Sequence, residues 1–553
     1  MNDGLWPWAC RLGVGARTTV GPDGATAARL PCWVTKIPSR AEKRDTAALR
    51  ETFVDSGVAD LLDTVDHQIL YGRRGTGKTH AVSYLVAEAN SRGHVALNID
   101  LRTVGSPDGL LDPETAPLAQ RTTRLLVDVL GQVRDGLFQA VFDNEDLYAD
   151  DHFVSKLDYL LAAITNVEVS GDVELSREAE TTEANNSGLS AGASLKATPT
   201  IEAKINTGRS VEGRDLRRET RRSSERLSLN FSDVARALRE LAKTLSSRRI
   251  WLIFDEWSSV PRDIQPYLGE FLNRCVLPLQ PFTVKIAAIE QQSNFRTSTS
   301  SGELIGLELG ADVGPALNLD DFLVFEQNEE HAREFFANLL FKHLTAGADE
   351  GMRVDGLNRP TDVIRLGFTD TRAFDELVRA AEGVPRDAIY ITFQAATQAR
   401  DGKISVPVVR AAARNWYQAD KARALNADPR PQRLLNWLVS NVIRGKRARG
   451  FLVNEQDTND TLLLKLFDAR VLHIIRRGYS AQDQPGERFE VWLIDYGAYV
   501  DLIQTNNEPE GLLPIDLGDD EQGYIGLDVP VQDLRAIRRA VLDLTEFYAT
   551  EQL

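Results

Sequence analysis

The residues best suited to chemistry form one short run. They are Gly72-Arg-Arg-Gly-Thr-Gly-Lys-Thr79, which fits the P-loop pattern G-x-x-x-x-G-K-[ST]. Glycines in such a run let backbone N–H groups turn inward around phosphate groups, which side chains would obstruct. Lys78 then brings a cation to the β- and γ-phosphates, and Thr79 a hydroxyl ligand to Mg²⁺. The run predicts that ATP and Mg²⁺ are bound through Gly72, Arg73, Arg74, Gly75, Thr76, Gly77, Lys78, Thr79 and His80.

A second candidate is the run Trp251-Leu-Ile-Phe-Asp255-Glu256. Four apolar residues followed by two carboxylates are typical of a buried strand that ends at a reaction centre. Asp255 is suited to hold the Mg²⁺ ion through its water shell, and Glu256 to polarise an attacking water molecule. The pair therefore predicts hydrolysis of the nucleotide, with Lys78 and Glu256 as catalytic residues.

These residues need a scaffold whose strands end at one edge. Apolar runs predict strands at 67–71, 94–101, 250–255, 283–290 and 322–325. The P-loop follows the first strand and leads into a helical pattern, as the motif requires. Strands that alternate with helices predict an α/β fold with a parallel sheet, that is, a P-loop NTPase core.

The stretch between the two motifs is long, since the P-loop lysine and the aspartate of the second motif are 177 positions apart. Helical structure is predicted over 121–164, broken near 143–151, and over 232–245, with Ser232 as the N-cap of the second stretch. Residues 167–227 instead combine alternating apolar residues with polar turns and an arginine-rich end. They are predicted to be an insertion into the core, either solvated or in contact with a partner.

Composition limits the remaining possibilities. The chain has 553 residues, of which 42% are hydrophobic and 26% charged, so several globular domains are expected. It has neither a membrane-length apolar run nor a signal-peptide pattern, which predicts a cytoplasmic protein without membrane contact. The three cysteines and seven histidines lack disulfide or zinc spacing. The net charge of −17 argues against a wholly basic nucleic-acid binder.

With these motifs the chain resembles the AAA+ and STAND side of the P-loop ATPases. The run Thr283-Val-Lys-Ile-Ala-Ala-Ile-Glu290 resembles the strand that carries a polar residue called sensor 1. That residue would be Glu290 or Gln291, whereas the family usually has Asn, Thr or Ser. The run Gly383-Val-Pro-Arg386 resembles the G-x-P-R of a helical lid. The resemblance implies that Arg386 reaches the γ-phosphate as sensor 2, as a third catalytic residue.

The C-terminal part is asymmetric in charge. Residues 430–477 contain ten Lys/Arg and four Asp/Glu, whereas residues 478–553 contain four and sixteen. The first stretch resembles a winged helix, and a P-loop core, lid and winged helix in this order resemble the origin-recognition-type AAA+ ATPases. The elements predicted for it are helices at 433–443, 459–467 and 469–475, strands at 451–453 and 488–494, and a turn at 484–487. The resemblance implies DNA contact through Arg444, Lys446, Arg447 and Arg449, although winged helices also bind proteins.

The predicted divisions of the chain follow from these assignments. They are an N-terminal arm (1–40), a P-loop core (41–345, with the insertion 167–227), a helical lid (346–428), a winged-helix domain (429–505) and an acidic C-terminal segment (506–553). No arginine finger is identified; Arg274 and Arg296 are the candidates. Ring assembly is therefore left open, although a homo-oligomer or a hetero-complex is expected.

Two functions fit these predictions. The first is an ATP-hydrolysing switch that binds DNA through the winged helix, in mobile-element biology or anti-phage defence, a setting that the resemblance alone implies. The alternative is a signalling ATPase of the STAND kind, whose nucleotide state controls assembly with a separate protein effector and not with DNA. A phosphotransferase is disfavoured because no motif for binding an acceptor occurs.

Overall fold

The structure is a computed structural model. It describes residues 46–104, 117–142, 151–164, 229–244, 248–299, 301–323, 325, 328–346, 354, 356–400, 402–425, 428–444, 450–480, 487–504, 513–515, 523–525 and 540–551. The predicted arm 1–40 and insertion 167–227 lie outside these ranges. Within them, no helix combines the length and apolar character needed to cross a membrane.

A five-stranded parallel sheet forms the centre of the N-terminal half. The strands of this half are β1 Gln68–Tyr71, β2 Val95–Asp100, β3 Ile250–Asp255, β4 Phe282–Ala288, β5 Arg296–Ser298, β6 Leu304–Gly306 and β7 Leu317–Asn318. The order in the sheet is β2-β3-β4-β1-β7, while β5 and β6 form a separate hairpin. The carboxyl ends of β1, β3 and β4 therefore meet at one edge, and β4 lies between the strands that end in the two motifs.

Helices cover both faces of this sheet. They are α1 Thr46–Thr52, α2 Ala59–Leu62, α3 Lys78–Ser91, α4 Leu118–Phe142, α5 Asp151–Ile164, α6 Phe231–Lys243 and α7 Gln265–Cys275. Alternate residues of β3 enter different cores: Leu252 and Phe254 pack with α4 to α7, whereas Trp251 and Ile253 pack with α2 and α3. This burial on both faces explains why the strand is a continuous apolar run rather than an alternating one.

A bundle of five helices follows the sheet and is called the lid here. Its helices are α8 Glu329–Thr345, α9 Pro360–Gly367, α10 Thr371–Ala381, α11 Pro385–Ala399 and α12 Val406–Trp416. They enclose a separate apolar core, which also includes Leu323 and Phe325. Asp370 caps α10 by accepting a hydrogen bond from the Ala373 backbone N–H at 2.9 Å.

The chain ends in a second small α/β unit, called the C-terminal unit here. It consists of a π-helical turn Tyr417–Lys421, α13 Ala422–Leu425, α14 Pro429–Trp437, a π-helical turn Leu438–Arg444, β8 Gly450–Asn454, α15 Thr461–Asp468, β9 Leu472–Ser480, β10 Arg488–Ile494 and α16 Tyr496–Gln504. The three strands form an antiparallel sheet in the order β8-β10-β9. A hairpin of β11 Leu513–Ile515 and β12 Gly523–Ile525 follows, and then α17 Leu544–Glu551.

The last described residues belong to the core of this unit. The Leu452 N–H of β8 donates to the Ala540 carbonyl at 2.7 Å, and the Leu452 carbonyl accepts from the Leu542 N–H at 2.8 Å. Ala540, Leu542 and Phe547 are all buried in the apolar core of the unit. Burial of apolar side chains therefore ties 540–551 to β8, although the surrounding stretch is strongly acidic.

Three local predictions are wrong. The last parallel strand is Leu317–Asn318, not 322–325, where Leu323 and Phe325 are apolar because they pack into the lid core. The N-cap of α6 is Asn230, whose side chain accepts from the N–H groups of Ser232 and Asp233. The helix predicted over 469–475 is absent, because β9 begins there and one helix, α15, lies between β8 and β9. The C-terminal unit thus lacks one of the helices predicted from the resemblance to a winged helix.

Candidate nucleotide-binding site

The P-loop is a tight turn between β1 and α3, held against the neighbouring strand. The Gly72 N–H donates to the Ala288 carbonyl at the end of β4, at 3.2 Å. Gly75 and Gly77 have φ angles of +92° and +100°, which favour glycine because a Cβ would clash with the backbone. At Gly72 an added Cβ would lie 2.6 Å from Thr76 Oγ1. The glycines are therefore required by the shape of the loop.

Lys78, the first residue of α3, is buried, with 6% of its surface exposed. Its ammonium donates to the carbonyls of Gly72 at 2.8 Å and Arg73 at 3.1 Å, so it lies within the curve of the loop. Burial lowers the pKa of Lys78, against the opposing charges of Glu256 and Asp255. A cation held this way, at the N-terminal end of a helix, is suited to bind phosphate.

Asp255 and Thr79 form the candidate metal site. Asp255 is buried at the end of β3 and accepts a hydrogen bond from the Glu256 N–H at 2.8 Å, and the Thr79 hydroxyl is near enough to lower its pKa. Burial raises the pKa of Asp255, and the nearby charge of Glu256 adds to the increase. A hydroxyl and a carboxylate near one another fit Mg²⁺, which binds few protein oxygens and keeps several waters. The described residues contain no cluster of three or more His, Cys, Asp or Glu that could hold another kind of metal.

Glu256 has an unusual backbone. Its φ of 56° and ψ of 42° place it in the left-handed region, which residues other than glycine rarely adopt. Such strain is often found at functional sites, where surrounding packing holds it in place. The carboxylate lies 3.9 Å from the Arg102 guanidinium, which is itself hydrogen-bonded to Asp100 at the end of β2.

The lid contacts the P-loop directly through the G-x-P-R run. The Arg386 N–H donates to the Gly75 carbonyl at 3.3 Å. A Cβ on Gly75 would lie 3.0 Å from Arg386 Cβ and 3.1 Å from Val384 Cγ1. Gly383, with a φ of +72°, turns the chain into α11, and an added Cβ would lie 3.1 Å from the Leu323 carbonyl oxygen. Arg386, predicted to be a sensor, is thus at the P-loop, close enough to Lys78 for its charge to affect that pKa.

Glu290 follows β4 in a short 3-10 turn, at the same edge of the sheet as the P-loop. Its carboxylate accepts from Asn318 Nδ2 at 3.4 Å and forms a two-pronged ion pair with Arg477 of β9, with distances of 2.6 Å. Glu290 therefore lies between β7 and the C-terminal unit. The choice between Glu290 and Gln291 as sensor 1 stays a prediction.

Three other residues predicted to bind the nucleotide either form contacts within the protein or are exposed. The Thr76 hydroxyl donates to the Arg73 carbonyl at 2.9 Å and so stabilises the loop itself. His80 Nε2 lies 2.8 Å from the Leu49 carbonyl, so this side chain ties α3 to α1. Arg74 is exposed. The arginine-finger candidates Arg274 and Arg296 pair with acidic residues of their own neighbourhood.

The predicted nucleic-acid contacts are not described by the structure. Lys446, Arg447 and Arg449 lie outside the described residues, and Arg444 ends the second π-helical turn. Other basic residues of the same stretch are used within the protein. Lys465 pairs with Asp428, Arg470 with Asp387 and Asp420, and Arg477 with Glu290.

Four residues near the site were missed by the sequence analysis: Arg102, Asp320, His473 and Arg477. Asp320 follows β7 and binds Arg73 twice, through the backbone N–H at 3.0 Å and through Nε at 2.7 Å. Its position just after a strand at the P-loop edge could have indicated Asp320, but a strand of only two residues cannot be recognised from the sequence. His473 and Arg477 reach the site by folding of the C-terminal unit onto it, which no local pattern indicates.

The sheet, the P-loop and the motif at the end of β3 define the fold as that of a P-loop NTPase with an α/β core. Among solved structures, the chain is similar to a Walker-type ATPase of Pyrococcus abyssi, with 13% identity, coverage of 85% of this chain and 99% of that chain, and a TM-score of 0.38. It is also similar to Cdc6p of Pyrobaculum aerophilum (11%, 86% and 96%, TM-score 0.28) and to the Orc1 protein of Aeropyrum pernix in complex with DNA (12%, 85% and 95%, TM-score 0.27).

Neither a protein-family profile nor a curated protein sequence matches the chain. Identities and TM-scores of this size add nothing about the chemistry of the site. The assignment of the fold therefore rests on the strand order and motifs of this chain.

Proposed function

We propose that the protein binds ATP with Mg²⁺ at the P-loop and hydrolyses it, acting as a nucleotide-controlled switch. The observation that carries this is the convergence of groups from three elements on one edge of the sheet. Lys78 and Thr79 come from the P-loop, Asp255 and Glu256 from the end of β3, and Arg386 from the lid.

Each group has a task in this reaction. Lys78 binds the β- and γ-phosphates, and Thr79 and Asp255 hold the metal ion. Mg²⁺, when bound, neutralises charge on the phosphates. Glu256 accepts a proton from, or orients, the attacking water molecule. Arg386 contacts the terminal phosphate, so that hydrolysis alters the contact between lid and P-loop.

Nucleotide binding is tested by calorimetric titration of ATP with Mg²⁺ into the purified protein. The wild type should bind, and Lys78→Ala should lose binding by at least about 100-fold, because a charge-assisted bond to phosphate is removed in a buried site. Lys243→Ala is the matched control, since that lysine is exposed on α6. Equal binding by wild type and Lys78→Ala would refute the P-loop as the site.

The metal is tested through Asp255→Asn, which keeps the shape of the side chain and removes its charge. Turnover of ATP in the wild type should require added Mg²⁺, and the variant should need a much higher Mg²⁺ concentration for the same rate. The measurement is phosphate release across a Mg²⁺ titration. An unchanged Mg²⁺ dependence in Asp255→Asn would remove Asp255 as a metal-binding residue.

We further propose that the switch is associated with DNA, through the basic residues at 444–449. Support comes from their charge: four basic residues lie within six positions of an otherwise acidic chain. Charge reversal at Arg444, Lys446 and Arg447 should abolish DNA binding that weakens steeply with salt, measured by fluorescence anisotropy on duplex DNA. Binding that is insensitive to these changes would speak against the proposal. A setting in anti-phage defence or mobile-element biology stays a prediction from the resemblance.

The second candidate is a STAND-type signalling ATPase that assembles with a protein effector. It is favoured by the direct contact of the C-terminal unit with the nucleotide site, because nucleotide state then has a route to a surface away from the site. A change in mass between ATP- and ADP-bound protein, measured by light scattering without DNA, would favour it. A constant mass in both nucleotide states would favour the DNA-associated switch.

A further inference from the structure

The P-loop contains two neighbouring arginines, Arg73 and Arg74, and both were predicted to bind the nucleotide. Arg74 is exposed, whereas only 5% of the surface of Arg73 is exposed. A buried arginine needs partners for its charge and for its N–H groups. The groups that bind Arg73 therefore show whether its side chain is available to a phosphate.

Asp320 binds Arg73 through both the backbone and the side chain of that arginine. One carboxylate oxygen accepts the Arg73 backbone N–H at 3.0 Å, and the other accepts Nε of the guanidinium at 2.7 Å. Asp320 is itself only 8% exposed. A backbone N–H has a single proton, so this group is used for Asp320 and not for a phosphate oxygen.

The rest of the Arg73 guanidinium is also bound within the protein. Nη2 donates to the Glu382 carbonyl at 3.2 Å, and Nη1 contacts Nδ1 of His473. The guanidinium carbon lies 5.8 Å from the centroid of the Phe467 ring. All three nitrogens of the side chain thus face protein groups, which requires the planar fork of an arginine.

Local structure fixes the position of Asp320. The residue lies in a 3-10 turn, Leu319–Asp321, directly after β7, and its backbone N–H donates to the Asn318 side chain at 3.0 Å. Strand β7 pairs with β1, with Asn318 opposite Tyr71, the last residue before the P-loop. The same edge of the sheet therefore sets both the start of the loop and the carboxylate that holds it.

The carbonyl of Arg73 binds the groups on which the loop depends. It accepts from the Lys78 ammonium at 3.1 Å and from the Thr76 hydroxyl at 2.9 Å. Holding the backbone of Arg73 therefore also fixes a carbonyl that orients the phosphate-binding lysine. The Asp320 carboxylate is close enough for its charge to oppose the lowering of the Lys78 pKa. Without Arg73, this carboxylate would be unpaired near the phosphates and would repel them.

We propose that Arg73 and Asp320 are positioning residues that set the shape of the P-loop, and that Arg73 is not a phosphate ligand. This rests on the proposed nucleotide binding and adds how the loop is ordered for it. Phosphate is bound by Lys78 and by N–H groups later in the loop. Weakening the bond to Asp320 then weakens nucleotide binding, whereas a phosphate ligand released from Asp320 would bind the nucleotide more tightly.

The test is calorimetric titration of adenylyl imidodiphosphate, an ATP analogue that resists hydrolysis, with Mg²⁺ into Asp320→Asn. The amide has nearly the shape of the carboxylate but one oxygen instead of two, so it loses one of the two bonds. Binding should weaken about tenfold, equivalent to about 1.4 kcal/mol. Unchanged or tighter binding would overturn the inference.

The matched control is Asp375→Asn. Asp375 accepts two bonds from Arg333, at 2.6 Å and 3.0 Å, between α8 and α10 inside the lid. The substitution therefore breaks an arginine–aspartate pair of similar geometry away from the P-loop motif. This control should bind the analogue as the wild type does. An equal loss in both variants would show that any broken pair has this effect and would contradict a specific role for Asp320.

Arg73→Lys separates the charge of Arg73 from its shape. A lysine keeps the charge but cannot bind Asp320, the Glu382 carbonyl and His473 at once, so affinity should fall as far as in Arg73→Gln. Binding by Arg73→Lys close to that of the wild type would contradict the inference. A wild type that binds no analogue would instead refute the proposed function, so the two failures are distinguishable.

Amide hydrogen exchange on the wild type, resolved to single residues, tests the inference without any substitution. The Arg73 N–H should be protected before nucleotide is added and should change little with the analogue and Mg²⁺, because Asp320 already accepts it. Amides of residues 75–79 should gain protection. A gain at Arg73 as large as at those residues would overturn the inference.

Discussion

Lysines 78 and 285 are both buried, with opposite consequences. Lys78 faces the carboxylates Asp255 and Glu256 at the carboxyl edge of the sheet, where a bound phosphate would restore a partner for its charge. Lys285 lies in the middle of β4, and its ammonium donates to the Asp66 carbonyl at 2.9 Å and to Gln68 Oε1 and lies 5.5 Å from the Trp251 ring centroid. Burial lowers the pKa of Lys285 to about 7. Lys78 is thus suited to bind phosphate, whereas burial of the Lys285 charge lowers the stability of the fold.

Replacing Lys285 should therefore stabilise the protein. An unfolded lysine keeps its proton up to about pH 10.5, so between about pH 7 and 10.5 the unfolded state binds more protons and stability rises with pH. The slope is at most about 1.4 kcal/mol per pH unit. Lys285→Met should raise the free energy of unfolding at pH 7 and flatten this slope in urea denaturation. Lys243→Met, an exposed control, should leave the slope unchanged, and a persistent slope in Lys285→Met would contradict the assignment.

At the scale of the structural elements, the lid can contact the P-loop because Gly75 has no side chain. Gly75 is glycine both for its φ of +92° and because an added Cβ would lie only 3.0 Å from Arg386 Cβ of the lid. The P-loop motif alone explains only the first requirement. The second shows that the lid touches the loop at the backbone, so a change in the loop is transmitted to α11 without a long side chain.

Gly75→Ala compared with Gly93→Ala separates these two requirements. Gly93 also has a positive φ of +81°, but nothing lies within 4 Å of an added Cβ. Both substitutions should cost about 1–2 kcal/mol of stability from backbone strain. Gly75→Ala alone should also weaken ATP binding and expose the start of α11 to hydrogen exchange, because the lid is pushed away. Equal behaviour of the two variants in these two measurements would show that the lid contact is unimportant.

Strands that are buried on both faces of the sheet were predicted well from the sequence. The strand over 250–255 was predicted with its bounds, because five apolar residues are followed by the two carboxylates Asp255 and Glu256. The strand at Leu317–Asn318 was missed because two residues carry no periodicity. The apolar run 471–475 fits a helix or a strand equally, and only its pairing with β10 decides for a strand.

Only some of the residues at the site could be predicted, because the others reach it from distant parts of the sequence. Lys78, Thr79 and Asp255 follow from local motifs with a fixed geometry. His473 is 400 positions from Arg73, and its contact with the P-loop depends on how the C-terminal unit packs. The basic charge of residues 430–477 was interpreted as a surface for DNA, but Arg470 and Arg477 are used for contacts inside the protein.

At the scale of the whole molecule, the units are held together by buried charge as well as by apolar surface. Asp387, Lys421 and Asp495 are at most 2% exposed; Asp387 belongs to the lid, and Lys421 and Asp495 belong to the C-terminal unit. Buried ion pairs of this kind contribute little net stability, but losing one partner leaves a charge unpaired. We therefore expect these residues to fix how the units are arranged.

Lys421→Met should lower the free energy of unfolding by about 3–5 kcal/mol, because two buried carboxylates lose their shared cation. Arg414→Gln is the matched control. It breaks a more exposed pair with Asp501 and should cost less than about 1 kcal/mol. Urea denaturation of both variants is the measurement. A loss in Lys421→Met no greater than in the control would show that the buried chain does not hold the units together.

The central claim is that the P-loop, Asp255 and Glu256 form a hydrolytic site. The most direct test is to incubate wild type and Glu256→Gln with radiolabelled ATP and Mg²⁺, isolate the protein and identify the bound nucleotide. Wild type should hold ADP and turn over, whereas Glu256→Gln should hold intact ATP with turnover reduced by at least about 100-fold. Normal turnover by Glu256→Gln, or the absence of bound nucleotide in both proteins, would contradict the account.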